Sequence, residues 1–118
     1  MEIKVRKNKD NIYVIDLTGP LDLYSSTQLK DIIMNIIKSR VECCILDLKD
    51  VNNINSSGLG ALIFVSSTLK KLSCPLIIVA PEGPVMQALE ITRLRNYFTI
   101  VQSLEDAIPL AAAGFKKA

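Results

Sequence analysis

Histidine and tryptophan are both absent from this chain of 118 residues. Without histidine there is no Ser-His or Cys-His nucleophile pair and no His-containing metal site. Any catalysis would rest on carboxylates, lysines or a thiol, which moves the expectation from an enzyme towards a binding module, with no cofactor. Cysteine is scarce too: Cys43 and Cys44 are adjacent, Cys74 stands apart, and no CxxC spacing exists. An odd, unpaired set suits reduced, buried thiols in a cytoplasmic protein. Long hydrophobic runs are missing as well. The longest strongly apolar stretch, 59–65, falls far short of the ~18–20 residues that cross a bilayer. Lys4, Arg6, Lys7 and Lys9 interrupt any signal-peptide core. Nor does charge of one sign dominate, with 14 basic against 12 acidic residues and a net charge of +2. Lys70-Lys71, Arg93, Arg95 and Lys116-Lys117 are dispersed and read as solvated surface, with no nucleic-acid role.

What is present is the composition of a packed core, 49% apolar and 22% charged, and a length that fits a single domain. That domain is expected over 1–115, with 116–118 as a loose tail. Ile3 and Val5 alternate with charges and predict a half-exposed strand; 12–18 predicts its hairpin partner, ended by Gly19-Pro20. Leu29, Ile32, Ile33, Ile36 and Ile37 recur at helical spacing, behind Ser25 or Ser26 as a cap. Residues 41–48 read as a buried central strand, and 49–55 as a polar turn. A helix is expected from Ser56 or Ser57 to about Leu72, then a buried strand over 76–80. Pro84 opens a third helix carrying Val85, Met86 and Leu89. Residues 98–101 form a last strand, and Ser103 caps a final helix with Leu104, Ala107, Ile108 and Ala111, which Pro109 should bend or shorten. The order ββαβαβαβα implies an α/β fold with a mixed, mostly parallel sheet of four to five strands and about four helices.

Chemistry concentrates where the third strand ends, in Asp47-Leu-Lys-Asp-Val-Asn-Asn-Ile-Asn-Ser-Ser-Gly-Leu-Gly-Ala-Leu62. Loops beyond the carboxyl ends of strands are where open α/β sheets meet their ligands. On a plain reading, Ser56 or Ser57 only caps a helix and Gly58 only permits close packing. Nucleotide motifs fail here: Gly58-x-Gly60 meets Ile63 where a dinucleotide fingerprint needs its third glycine, and no phosphate-binding P-loop occurs.

Three passages resemble the STAS-domain family, in particular its anti-sigma-factor antagonists. Gly19-Pro-Leu-Asp22 is similar to the family's G-x-L-D turn, and Asp47-Leu-Lys-Asp-Val51 to its D-L-S-x-V strand end. Ile54-Asn-Ser-Ser-Gly-Leu-Gly60 resembles its I-D-S/T-S-G-L-G motif, and the element order agrees along the chain. The resemblance implies a non-enzymatic partner switch. Such a protein binds an anti-sigma factor that is also a serine kinase, and Ser56 takes the phosphoacceptor position. Asn55, Ser57, Gly58, Leu59, Phe64 and the Asp22 loop would form or shape the partner surface. One departure falls at Asn55, where the family carries an acidic residue; asparagine keeps the shape and loses the charge. Asp22 and Asp47 match the family pattern, either bracing the loop or lying plainly on the surface.

At about 100° per residue, Leu59, Leu62, Ile63 and Ser66 share one stripe of the second helix. Ala61, Phe64, Thr68 and Leu72 lie on the far side, as a partner-facing patch or as part of a broadly buried helix. Two rivals stand beside the switch: a STAS interaction subunit of a transport or signalling complex working without phosphorylation, and a small enzyme using Asp47 and Asp50. Nothing in the sequence demands a dimer, so a monomer is expected.

Overall fold

The computed structural model describes residues 1–113. The expected 116–118 tail lies outside them. Two antiparallel strands open the fold, β1 (Glu2–Lys7) and β2 (Ile12–Leu21), joined at Asn8, whose side chain accepts the N–H groups of Asp10 and Ile12. Then follow α1 (Leu23–Ile36), β3 (Cys43–Ile54), α2 (Ser56–Lys71), β4 (Leu76–Val79) and α3 (Pro84–Ile91). A short 3-10 turn (Arg95–Tyr97), β5 (Thr99–Val101) and α4 (Leu104–Ala112) complete the described chain.

The five strands lie side by side in chain order, and β2 to β5 are parallel. Because the order never reverses, successive crossovers of one hand put their helices on one face. Accordingly α1, α2 and α3 share a core with Ile15, Leu17, Leu46 and Ile78, filled by Leu29, Ile33, Leu62, Val65, Leu69, Met86 and Leu89. The opposite face, with Val14, Ile45, Ile77 and Val79, is covered by α4 through Ala107 and Ala111. Strands β3 and β4 are therefore buried on both sides. The three cysteines are free and buried, and burial pushes the Cys43 thiol up to about 12.

Strand and cap limits differ from the sequence expectation in ways that matter for the site. Gly19-Pro20 does not end β2. The strand continues to Leu21 through register shifts next to β3, with Gly19 at φ +109°. The expected polar turn at 49–55 is likewise strand as far as Ile54, paired with 18–21. Here β2 and β3 project beyond β4 as a two-stranded ribbon, where Asp50, Asn52 and Asn53 face water while Leu21 and Val51 stay buried. A ribbon so largely exposed carries few apolar residues, so the continuous run that marks a doubly covered strand is missing.

The caps were also misassigned. Asp22, not Ser25 or Ser26, caps α1: its carboxylate accepts the Ser25 N–H at 3.0 Å while the Ser25 hydroxyl accepts the Asp22 N–H at 2.8 Å. That reciprocal pair is a capping box with the roles of hydroxyl and carboxylate exchanged. Ser103 caps α4 as expected. Pro109 lies inside α4, which runs on to Ala112, and Ile108 faces outward instead of joining the buried stripe.

The Ser25 N–H, together with the Ser25 hydroxyl, holds the Asp22 carboxyl below its ordinary 3.8. A carboxyl whose pKa is lowered on folding stabilises the fold above its unfolded pKa, and that stability is lost as pH falls through the folded value. Urea melts below about pH 4 should therefore show wild type losing stability relative to Asp22→Asn, which keeps an acceptor but does not titrate. Parallel pH dependences for the two proteins would show that the cap is not linked to protonation.

Candidate functional site

Parallel strands β2 and β3 each hand the chain to a helix at the same pole, so the amino ends of α1 and α2 lie side by side. Leu21 pairs with Ile54, and the Asn55 N–H reaches the Leu21 carbonyl at 3.4 Å. Gly58 closes this contact. A Cβ built there would stand 2.4 Å from the Leu21 carbonyl oxygen and 2.8 Å from Ile54 Cγ1. No side chain fits, so the helix is pressed directly against the end of β2.

Asn55 is the cap of α2, displacing Ser56 and Ser57 from that expected role. Its Oδ1 accepts the Gly58 N–H at 3.1 Å. Since an N–H can only donate, the oxygen must face the helix and the side-chain NH2 must turn away. Ser56 is then the first helical residue and exposed, Ser57 the second and half-buried. The N–H groups of Ser56 and Ser57 precede the helical hydrogen-bond ladder, and α2 has no acidic residue in its first turn. An anion on Ser56 would meet those N–H groups and the positive end of the macrodipole.

Asp22 fixes the start of α1, as above, whereas Asp47 sits within β3 opposite Asp16 and Val79, seven residues before Ile54. Asp47 is 1% exposed, bonded to the Lys49 ammonium at 2.9 Å and the Lys49 N–H at 3.1 Å, and this bond raises the Lys49 pKa. Lys49 also stands 3.8 Å from Asp50. The two carboxylates are thus joined through a lysine, and neither lines the two cavities described on the surface. That is not the geometry of a general acid and base facing a substrate.

The face of α2 is rotated from the expected one. Gly58, Ala61, Leu62, Val65 and Leu69 are buried, so Ala61 belongs to the core and not to an outer patch. Leu59 and Ile63 are only partly buried, packed on the margin of the core. Phe64 and Leu72 are exposed at 37% and 56%, in line with a surface role, and the Lys30 ammonium lies 5.3 Å from the Phe64 ring centroid. Sequence periodicity missed Leu23 and Tyr24, which are 71% and 74% exposed in the first turn of α1. They follow the Asp22 cap directly, and exposed apolar groups beside a cap were the available signal. It also missed Gly60, whose missing Cβ would meet nothing within 4 Å. That glycine is not required by packing; it leaves bare helix backbone one turn from Ser56.

The site is thus a pair of tightly apposed helix mouths in a singly wound α/β domain, with a serine at one of them and exposed apolar groups around it. The chain belongs to the STAS domain family, whose family model matches residues 3–107. It is 24% identical over 108 residues to the anti-sigma-B factor antagonist of Bacillus subtilis, covering 92% of this chain and 97% of that protein. It is 32% identical over 111 residues to the Arabidopsis thaliana protein named "Probable sulfate transporter 3.4", but spans only 17% of that much longer chain. The fold matches the anti-sigma factor antagonist SpoIIAA in its unphosphorylated form at a TM-score of 0.74 and 19% identity, covering 97% of this chain and 100% of the other. It also matches the phosphorylated form of SpoIIAA at 0.71 and 20%, covering 92% and 97%. Among the described residues, no helix is long and apolar enough to cross a membrane.

The two glycines of the site should respond oppositely. Gly58→Ala forces a Cβ onto backbone and should cost about 1–3 kcal/mol. Gly60→Ala meets open space and should stabilise by up to ~1 kcal/mol through helix propensity. Thermal and urea denaturation of both variants tests this; a neutral Gly58→Ala would contradict the close approach described here.

Proposed function

We propose that this protein is an anti-sigma-factor antagonist of a bacterial partner-switching system, acting in the cytoplasm as a binding protein and not as an enzyme. Its partner is an anti-sigma factor with serine kinase activity. Ser56 is the phosphoacceptor, and Asp22, Asn55, Ser57, Gly58, Leu59 and Phe64, with Leu23, Tyr24 and Gly60, form or shape the docking face. The observation that carries this reading is the exposed Ser56 in the first position of a helix whose cap is supplied by its neighbour Asn55. The side chain is thereby free of the capping duty and open to a kinase. The near-complete two-way coverage of an antagonist relative supports it further.

The switch follows from charge. Unphosphorylated, the docking face presents a neutral hydroxyl among apolar groups. Phosphorylation adds about −1.5 to −2 charges at pH 7. The phosphate gains from the α2 mouth in the free protein, but in the complex it would be stripped of water against a surface shaped for a hydroxyl. The same modification thus stabilises the free state and penalises the bound one. Gly60 suits such a face, since a bare stretch of helix lets partner backbone approach.

Asn55 sets the rate in this scheme. An aspartate there would keep the cap acceptor but place a charge beside the phosphate, where two unit charges near 4 Å at an effective dielectric of ~20 interact by about 4 kcal/mol before screening. Asparagine avoids that repulsion and turns an NH2 donor outward. It also removes an anchor by which a kinase can orient the serine.

A second reading is a STAS module within a transport or signalling assembly that works without phosphorylation, as a monomer or otherwise. It is favoured by Asn55 and by the higher identity to the transporter relative. Intact mass after incubation with ATP and the cognate kinase separates the two, because only the first predicts a phosphate, and on Ser56.

Ser56→Ala should bind the partner constitutively and, since Ser56 is not the cap, should fold with little change in stability; Asn55→Ala should lose about 1 kcal/mol instead. Ser56→Asp should weaken partner binding less than phosphate does, because it carries one charge and a different shape. Equal affinity of Ser56→Asp and wild type in calorimetry would remove Ser56 from the switch. Asn55→Asp should speed phosphorylation without tightening binding of the unphosphorylated form. The phosphorylated wild type should in turn resist urea better than phosphorylated Asn55→Asp. Identical rates with the same kinase would show that position 55 is neutral.

A further inference from the structure

The pole opposite Ser56 holds a cavity of about 330 Å³ between the last turns of α2, the loop into β4, and the segment leading into β5. Ser66, Lys70, Ser73 and Thr99 contribute polar groups, while Pro75, Leu76 and Phe98 form the apolar part. Tyr97 meets Phe98 edge to face, with ring centroids 4.8 Å apart, and completes the wall. An apolar hollow of a few hundred cubic ångströms with few polar groups is the usual form of a small-molecule site.

Three features give it a preference for charge and shape. Ser66 and Lys70 are four residues apart on α2 and so share a face. Lys70 makes no ion pair among the described residues. Nor is Lys70 needed to finish the helix. The Ser73 N–H donates to the Lys70 carbonyl and the Cys74 N–H to the Leu69 carbonyl, which satisfies the carboxyl end of α2 from the backbone. Ser73 adopts φ +56° at that turn, a left-handed conformation that glycine takes at no cost. A serine kept there brings a hydroxyl to the cavity wall. By sequence Lys70 is one of the dispersed surface cations; the fold puts it at an apolar hollow.

We propose that this cavity binds a small amphiphilic anion, an aromatic or short aliphatic carboxylate. Its apolar body rests on Pro75, Leu76 and Phe98, and its carboxylate is met by Lys70 and the hydroxyls of Ser66 and Ser73. The site is independent of the partner-switch reading. α2 is 16 residues long, so its two ends are about 24 Å apart and a ligand here does not touch Ser56. Cys74 lies buried in the cavity wall, behind Pro75.

The test is a titration of the full chain with phenylacetate, indole-3-acetate and octanoate, followed by amide chemical shifts. At least one compound should shift residues among 66, 70, 73–76 and 97–99 at up to millimolar concentration. Lys70→Gln should weaken that carboxylate about fivefold while leaving its neutral amide analogue unchanged. Ser66→Leu, which fills the cavity, should abolish binding with the remaining amide shifts intact. Ser56→Asp should bind like wild type. The proposal is overturned if none of the three compounds shifts the lining residues. It also fails if the shifts map to another surface, or if Lys70→Gln binds the carboxylate as wild type does.

Discussion

The contact between Gly58 and the Leu21 carbonyl is the constraint on which the rest of the molecule's working end depends. It is a steric statement: no atom beyond hydrogen fits on the Gly58 Cα. Because α2 can press against the end of β2, its cap at Asn55 comes within reach of Leu21, and the Asp22 cap of α1 follows one residue later along the same strand. Two helix mouths are thereby joined to one ribbon of strand. A side chain at position 58 would separate them and leave Ser56 on an isolated helix end.

Chain-order strand pairing supplies the second condition. With no reversal of strand order, there is no crevice of the kind that holds a dinucleotide between diverging helices. Instead α1, α2 and α3 all begin at one pole, and among them only Asp22 brings an acidic group to a cap. The amino ends of three helices gather there, so the pole carries the positive ends of their dipoles with one carboxylate among the caps.

The STAS domain occurs in relatives with different names, an anti-sigma-B factor antagonist of a similar length and a probable sulfate transporter of which this chain matches a small part. In this chain the close-packed pole carries an exposed margin of Leu23, Tyr24 and Phe64. A shared fold does not by itself choose among roles, which rest on the side chains it presents.

Much of this was written in the sequence. Helical spacing in 29–37, continuous apolar runs at 43–48 and 76–80, and Pro84 at a helix start are local signals, and each produced the element it predicted. The motif around Ser56 was legible because it is contiguous. The Asp22 cap was not, since a carboxylate paired with a serine inverts the familiar order of the box. Nor was the extension of β3 to Ile54, since a ribbon pairs through backbone groups that every residue carries. The burial of Ala61, the exposure of Leu23 and Tyr24, and the need for glycine at 58 but not at 60 depend on what stands opposite each side chain. Periodicity identifies an apolar stripe, but its rotation is set by neighbours distant in the chain. The sequence by itself therefore determined the elements, their order and the serine; the tertiary structure alone decided which atoms press against which, and so which face remains for a partner.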